Sequence, residues 1–80
     1  MDPDAALDEL FAAIVGHDWN QVNELSEALL TWLQKGGFPP QKLGPKELGR
    51  GWHRAMAEFT CYLAKSRVRD SRRRRKKRAV

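Results

Sequence analysis

The side chains best suited to binding chemistry are basic and lie at the C-terminal end of the chain. Seven consecutive Arg and Lys residues run from Arg72 to Arg78 within the sequence DSRRRRKKRAV. Cationic groups at this density repel one another in water, and they bind phosphate backbones well because binding releases condensed counterions. The run therefore favours a polyanion-binding role over a purely solubilising one.

Side chains that could catalyse a reaction or hold a metal are few and isolated. His17 and His53 have no Cys or second His at the spacing of zinc ligands. Cys61 is the single cysteine, which excludes an internal disulfide, and no Cys-His arrangement supports it as a nucleophile. Nearby Arg54 and Lys65 would favour its thiolate. We expect no catalytic residue, no metal site and no cofactor, and hence not an enzyme.

Charge divides the chain into two halves. Residues 1–35 contain seven acidic residues against one basic residue, a net charge of −6. Residues 36–80 contain fourteen basic residues against three acidic ones, a net charge of +11. This asymmetry indicates either an anionic partner for the second half or a contact between the halves, within or between chains.

Apolar residues recur at helical spacing in three segments, and no segment alternates as a strand does, which predicts an all-α fold. The helices are expected at about 3–15, 18–35 and 52–69, with a turn and spacer at 36–51. The joint between the first two helices is so short that they must form an antiparallel hairpin. The third helix completes a small three-helix bundle over residues 1–69, and a disordered basic tail follows.

The third helix has a large apolar face and a basic side opposite to it. The apolar residues that we assign to the core are Leu48, Trp52, Ala55, Met56, Phe59, Tyr62 and Leu63. Winding the helix at about 100° per residue gathers a basic sector on the other side, which leads into the tail at 70–80. The predicted nucleic-acid-binding residues are Lys46, Arg50, Arg54, Lys65, Arg67, Arg69, Arg72, Arg73, Arg74, Arg75, Lys76, Lys77 and Arg78.

A strip of small side chains runs beside the basic sector. It consists of Ala57, Cys61, Ala64 and Val68. Small side chains let another helix approach closely, so the strip predicts a contact either with a second copy of the chain or with one of the other two helices. For a homodimer, we expect the third helices to pair antiparallel, because parallel pairing would crowd their basic ridges.

These features predict a non-enzymatic accessory protein that binds RNA or DNA through the phosphate backbone, with little sequence specificity. The alternative is an interaction or assembly module whose basic tail binds an acidic protein surface. The longest apolar run, from Leu10 to Val15, is far too short to cross a membrane. We expect no membrane partner and a cytoplasmic protein, near the nucleoid or ribosomes in a bacterium. In a eukaryotic cell the basic run would act as a nuclear localisation signal.

Residues 17–40 contain Trp-Leu-Gln-Lys-Gly-Gly-Phe-Pro-Pro. This block resembles a Trp-Leu-x-x-Gly-Gly-Phe-x-Pro motif of small uncharacterised bacterial helical proteins. The resemblance covers roughly a third of the chain and implies a helical fold, without an activity or a binding residue. The preceding Gly-His-Asp-Trp, residues 16–19, looks like the turn of a tetratricopeptide repeat in a single copy.

Overall fold

Three α-helices and one short 3₁₀ helix make up the described part of the chain. A computed structural model describes the backbone of residues 1–78 and the side chains of residues 1–73. Helix α1 is Pro3–Val15, α2 is Trp19–Gln34 and α3 is Gly49–Arg78, with the 3₁₀ helix at Lys46–Leu48. No strand occurs in the described backbone, and no helix there is both long and apolar enough to cross a bilayer. The all-α fold class is confirmed, and the first two helices lie within a residue of their predicted bounds.

The turn between α1 and α2 is closed by backbone hydrogen bonds. The N–H of Asp18 donates to the carbonyl of Ala13 at 3.0 Å, which is the long bond of a Schellman cap. The left-handed residue of this cap is His17, with a φ of 56°, although the sequence offers Gly16 beside it. The His17 ring stacks on Trp19 with ring centroids 5.3 Å apart. This tight turn holds α1 and α2 antiparallel, as predicted.

The segment between α2 and the 3₁₀ helix is fastened to α1. The N–H of Gln41 donates to the carboxylate of Asp4 at 2.8 Å, and the Lys42 ammonium pairs with the carboxylate of Asp8. Beyond it, the Trp52 indole N–H donates to the Leu43 carbonyl at 3.2 Å. The predicted spacer is therefore an ordered connection that sets where α3 begins.

The C-terminal end of α2 depends on a close contact between a glycine and a tryptophan. Gly36 has a φ of 87°, which glycine adopts without steric cost, and it caps the helix. The Trp32 indole N–H then donates to the Phe38 carbonyl at 2.7 Å, so the ring lies across Gly37. A Cβ at Gly37 would lie 2.2 Å from that ring. The Gly-Gly-Phe part of the motif thus builds a helix end.

We expect Gly37→Ala to lower the free energy of unfolding by about 1–3 kcal/mol, because the added methyl group overlaps the Trp32 ring. Gly51→Ala is the matched control. A Cβ at Gly51 meets nothing within 4 Å, and the residue lies in α3, so alanine should stabilise by up to ~1 kcal/mol. Urea denaturation followed by circular dichroism measures both. Equal effects at the two glycines would contradict the packing at the end of α2.

Helix α3 packs antiparallel to α2 and extends past it. Near the start of α3, the Arg50 guanidinium donates to the carbonyl of Gly36 at 2.7 Å. Further along, Lys65 pairs with Glu27 at 3.1 Å, and Ser71 lies beside the start of α2. With 30 residues, α3 is about 45 Å long, whereas the 16 residues of α2 span about 24 Å. The C-terminal end of α3 therefore projects beyond the hairpin.

The face that α3 turns toward the core is the reverse of the predicted one. The large apolar residues assigned to the core are exposed: Leu48 by 47%, Trp52 by 45%, Phe59 by 57%, Tyr62 by 56% and Leu63 by 51%. Ala55 is also exposed, and Met56 is half-buried. Leucines of α1 and α2 already fill most of the interior. Only a face of small residues lets α3 approach at normal helix-packing distance, which explains this orientation.

The strip of small residues that was predicted as a dimer contact forms this buried face. Its members are 0–3% exposed: Ala57, Cys61, Ala64 and Val68. They pack in one cluster with Leu29 and Leu33 of α2. The strip therefore seats another helix of the same chain, the second of the two alternatives, and it cannot receive a second copy while the bundle is folded.

The bounds of α3 also differ from the prediction of 52–69. The helix begins at Gly49, directly after the 3₁₀ helix, and continues to Arg78. No Gly or Pro interrupts the sequence after Gly51, Arg and Lys are good helix formers, and cations near a helix C-terminus interact favourably with the helix dipole. The predicted tail thus starts as a continuation of α3, and residues 79–80 lie outside the described backbone.

Candidate nucleic-acid interface

The basic residues near the start of α3 are engaged within the bundle. Arg50 lies over the Phe38 ring, 5.1 Å from its centroid, while its guanidinium donates to a backbone carbonyl at the end of α2. Arg54 pairs with Glu58 one turn along the helix at 2.9 Å. These partners offset part of the positive charge, so this half of the predicted basic sector is weakened as a polyanion site.

Lys65 has a similar role in the middle of α3. Its ammonium lies 3.1 Å from a carboxylate oxygen of Glu27 on α2, and its side chain is only 30% exposed. Because α3 is rotated so that the small residues face α2, the basic sector borders the core and does not lie opposite to it. Lys65 therefore links two helices in addition to contributing charge.

Four arginines near the projecting end of α3 are different. Arg67, Arg69, Arg72 and Arg73 are all exposed. Among the side chains of residues 1–73, none of the four forms a salt bridge. Asp70 is the single acidic residue after Glu58, so the surrounding sequence offers little compensation. Their full charge is available to an external anion.

These arginines occupy more than one side of the helix. Arg69, Arg72 and Arg73 fall within an arc of roughly 100°, whereas Arg67 lies well outside that arc. Phosphates line both walls of a nucleic-acid groove, and a helix with cations on two sides can contact both walls. The α3 backbone carries on to Arg78, and the sequence there adds five basic residues, 74–78, whose side chains lie outside the described ones.

The structure does not gather the predicted residues into one surface. Lys46 is exposed in the 3₁₀ helix, and 23 residues separate it from Arg69, which corresponds to about 35 Å along a helix axis. Arg50 and Arg54 also lie at this distant end. The residues brought together are those from Arg67 onward. Among the described side chains of α3, they carry nearly all of the positive charge that has no carboxylate partner.

Sequence reasoning missed a cleft where α3 leaves the hairpin. The cleft is small, about 90 Å³, and is lined by Asp18, Trp19, Asn20, Ser71 and Arg72. The half-buried Trp19 places an aromatic ring beside the Arg72 side chain at this point. Had the full length of α3 been recognised from the sequence, antiparallel packing of α3 on α2 would have predicted the contact of Ser71 and Arg72 with the start of α2.

Burial makes the one thiol inert. Cys61 is fully buried, and desolvation raises its pKa to about 11, although Lys65 acts in the opposite direction. The expectation that Arg54 and Lys65 would favour the thiolate is therefore wrong, because burial outweighs the nearby charge. Above pH 9, where an unfolded thiol loses its proton and the buried one keeps it, this group lowers the stability of the fold.

The buried histidine contributes to packing. His53 is 1% exposed, its Nε2–H donates to the Pro45 carbonyl at 3.0 Å, and its Nδ1 has no partner within the described residues. Among those residues, no group of three or more His, Cys, Asp and Glu side chains could hold a metal ion. In the described structure, the side chains available for binding are the exposed Arg and Lys residues.

Comparison with known proteins assigns the chain to no family. No family model matches the chain, and no curated protein or solved structure was found to be similar to it. The candidate interface is therefore inferred from the charge and geometry of α3.

Proposed function

We propose that this protein binds nucleic acid through the phosphate backbone, using the C-terminal part of α3, which runs from Arg67 to the end that projects beyond the hairpin. The observation that supports the proposal most directly is the unpaired charge on that end. Arg67, Arg69, Arg72 and Arg73 are exposed and have no carboxylate partner among the described side chains, and the basic run continues along the same helix. Guanidinium groups bind phosphate oxygens with two parallel hydrogen bonds, which suits arginine for this contact.

The hairpin would orient this contact. The half of the chain that forms α1 and α2 has a net charge of −6, so its surface repels a polyanion. The binding region is therefore limited to the end that projects from the hairpin. In this proposal the protein is an accessory, non-catalytic binder of RNA or DNA. Contacts made by charge to phosphates position a protein without reading bases, so we expect little sequence preference.

Salt dependence tests the proposal. With about six phosphates neutralised, the slope of log K against log salt should be roughly −5, and the affinity should fall about a thousandfold between 50 and 200 mM salt. Fluorescence anisotropy with a labelled 20-base-pair DNA duplex and a labelled 20-nucleotide RNA of unrelated sequence measures this slope. Polyglutamate is the control anion: its carboxylates also pair with guanidinium groups but are carried on a peptide chain, so it represents an acidic protein surface. A slope near zero, or equally tight binding of polyglutamate, would contradict the proposal.

The second candidate is an assembly module whose basic end binds an acidic protein surface. The large exposed apolar residues of α3 favour a protein contact of some kind, because such patches commonly mark interaction sites. Retention of one defined protein after nuclease treatment and a high-salt wash would favour this candidate. Loss of all bound material on nuclease treatment would favour nucleic acid.

A further inference from the structure

The side of α3 that points away from the hairpin carries large apolar residues, most of them exposed. We call this surface the outer face; its stripe is Trp52, Met56, Phe59 and Leu63, with Leu48 and Tyr62 at its edges. Except for the half-buried Met56, these residues are 45–57% exposed. A hydrogen bond from the Trp52 indole to the Leu43 carbonyl holds that ring in place. Apolar patches of this kind often mark interaction sites.

We propose that the outer face pairs with the outer face of a second copy, with the two α3 helices antiparallel and a two-fold axis between Ala57 and Glu58. The buried strip of small residues takes no part in this contact. The proposal concerns the protein without nucleic acid and does not depend on the proposed function.

The spacing of the stripe suits this arrangement. Its residues follow one another at intervals of four, three and four positions, which reads the same in both directions along the helix. In an antiparallel pair centred between residues 57 and 58, Trp52 therefore meets Leu63 of the partner subunit, and Met56 meets Phe59 of the partner subunit. Intervals of three and four also keep the stripe on one side of the helix over three turns. A two-fold contact requires a self-complementary surface of this kind.

Charge favours the antiparallel direction. Antiparallel pairing directs the basic residues from Arg67 onward to opposite ends of the dimer. Parallel pairing would place those two strongly basic ends side by side, where their repulsion opposes association.

The size of the outer face predicts a weak dimer. Taking ~200 Å² for an aromatic side chain, the measured exposures give roughly 300 Å² from Trp52, Phe59 and Tyr62. Both copies together then bury on the order of 600 Å² of aromatic surface, and the leucines and flanking side chains add to it. Stable interfaces begin near ~1,200 Å² in total, so we expect a weak, reversible dimer.

Such a dimer would have two basic ends pointing in opposite directions. Fourteen residues separate Glu58 from Arg72, about 21 Å along the helix, so the two ends would lie roughly 40 Å apart. Two separated charged sites on one particle can engage one long polyanion at two places, which raises the apparent affinity through effective concentration.

Sedimentation equilibrium between 1 and 200 μM tests the self-association. The unmodified protein should shift from monomer to dimer over this range. The variant Phe59→Ser with Leu63→Ser should stay monomeric at 200 μM and keep its helical circular dichroism, because both side chains are exposed. The matched control is Phe11→Ser with Val15→Ser on α1, where exposures are 41% and 81%; it should dimerise normally. A monomeric unmodified protein at 200 μM, or equal loss of the dimer in both variants, would overturn the proposal.

Disulfide trapping tests the direction. Proteins carrying Trp52→Cys and Leu63→Cys are mixed under mild oxidation, and antiparallel pairing predicts cross-linking of one variant to the other. Each variant alone should cross-link poorly, because residues 63 of the two copies would lie roughly 16 Å apart along the axis. The unmodified protein controls for Cys61, which is buried and unreactive. Efficient linking of Leu63→Cys to itself would overturn the antiparallel arrangement.

Discussion

Replacing Arg69, Arg72 and Arg73 together with Gln is expected to weaken nucleic-acid binding about 500-fold at 100 mM salt. Each neutralised phosphate releases close to one counterion, which contributes almost a factor of ten in affinity at this salt concentration. These three arginines are exposed and form no salt bridge among the described side chains, so their guanidinium groups are available to phosphate. The slope of log K against log salt should also become less steep by about three.

The matched control removes the same charge from residues that are already paired. Lys42→Gln, Arg54→Gln and Lys65→Gln together also lower the net charge by three, but their side chains form salt bridges with Asp8, Glu58 and Glu27. We expect this variant to lose less than about fivefold in affinity, because these cations are held by carboxylates and lie outside the proposed contact with phosphate. Fluorescence anisotropy with the same duplex compares the two. If both variants lost affinity equally, net charge alone would govern binding and the projecting end would have no special role.

Ala57→Glu is expected to unfold the protein. Ala57 is fully buried at the contact between α3 and α2, so a Glu side chain there has no room and no partner for its charge. Burying an unpaired carboxylate together with steric overlap costs several kcal/mol, and a domain of this size has a total stability of only about 5 kcal/mol. The expected result is the loss of helical circular dichroism and of a cooperative urea transition.

Ala28→Glu makes the same substitution at an exposed position of α2. It should change the free energy of unfolding by no more than ~0.5 kcal/mol. The pair also tests the orientation of α3, because the sequence prediction placed the large apolar residues in the core and left a dimer contact as one of two alternatives for Ala57. A folded Ala57→Glu protein with near-normal stability would show that the large apolar residues, and not the small strip, face the hairpin.

The sequence determined the class of fold and the position of its first two helices. Helical spacing of apolar residues, Asp18 before α2 and the short joint at residues 16–18 are local signals, and α1 and α2 lie where these signals put them. The concentration of positive charge after residue 66 is likewise a property of the sequence, and the proposed nucleic-acid partner is based on it. None of these inferences required knowledge of which helix faces touch.

Only the tertiary structure decided which face of α3 is buried. Both candidate faces have helical spacing, and a rule that the larger apolar residues go inside chose the wrong one. The deciding quantity is the volume left between the helices. Leu29 and Leu33 of α2 occupy most of that volume. The small side chains of Ala57 and Ala64 therefore fit against them, whereas Phe59 and Tyr62 would not. This orientation turns the aromatic residues to the solvent and brings Lys65 to Glu27. The spacing of residues along one helix gives no information about the shape of the helices that pack against it, and packing depends on that shape.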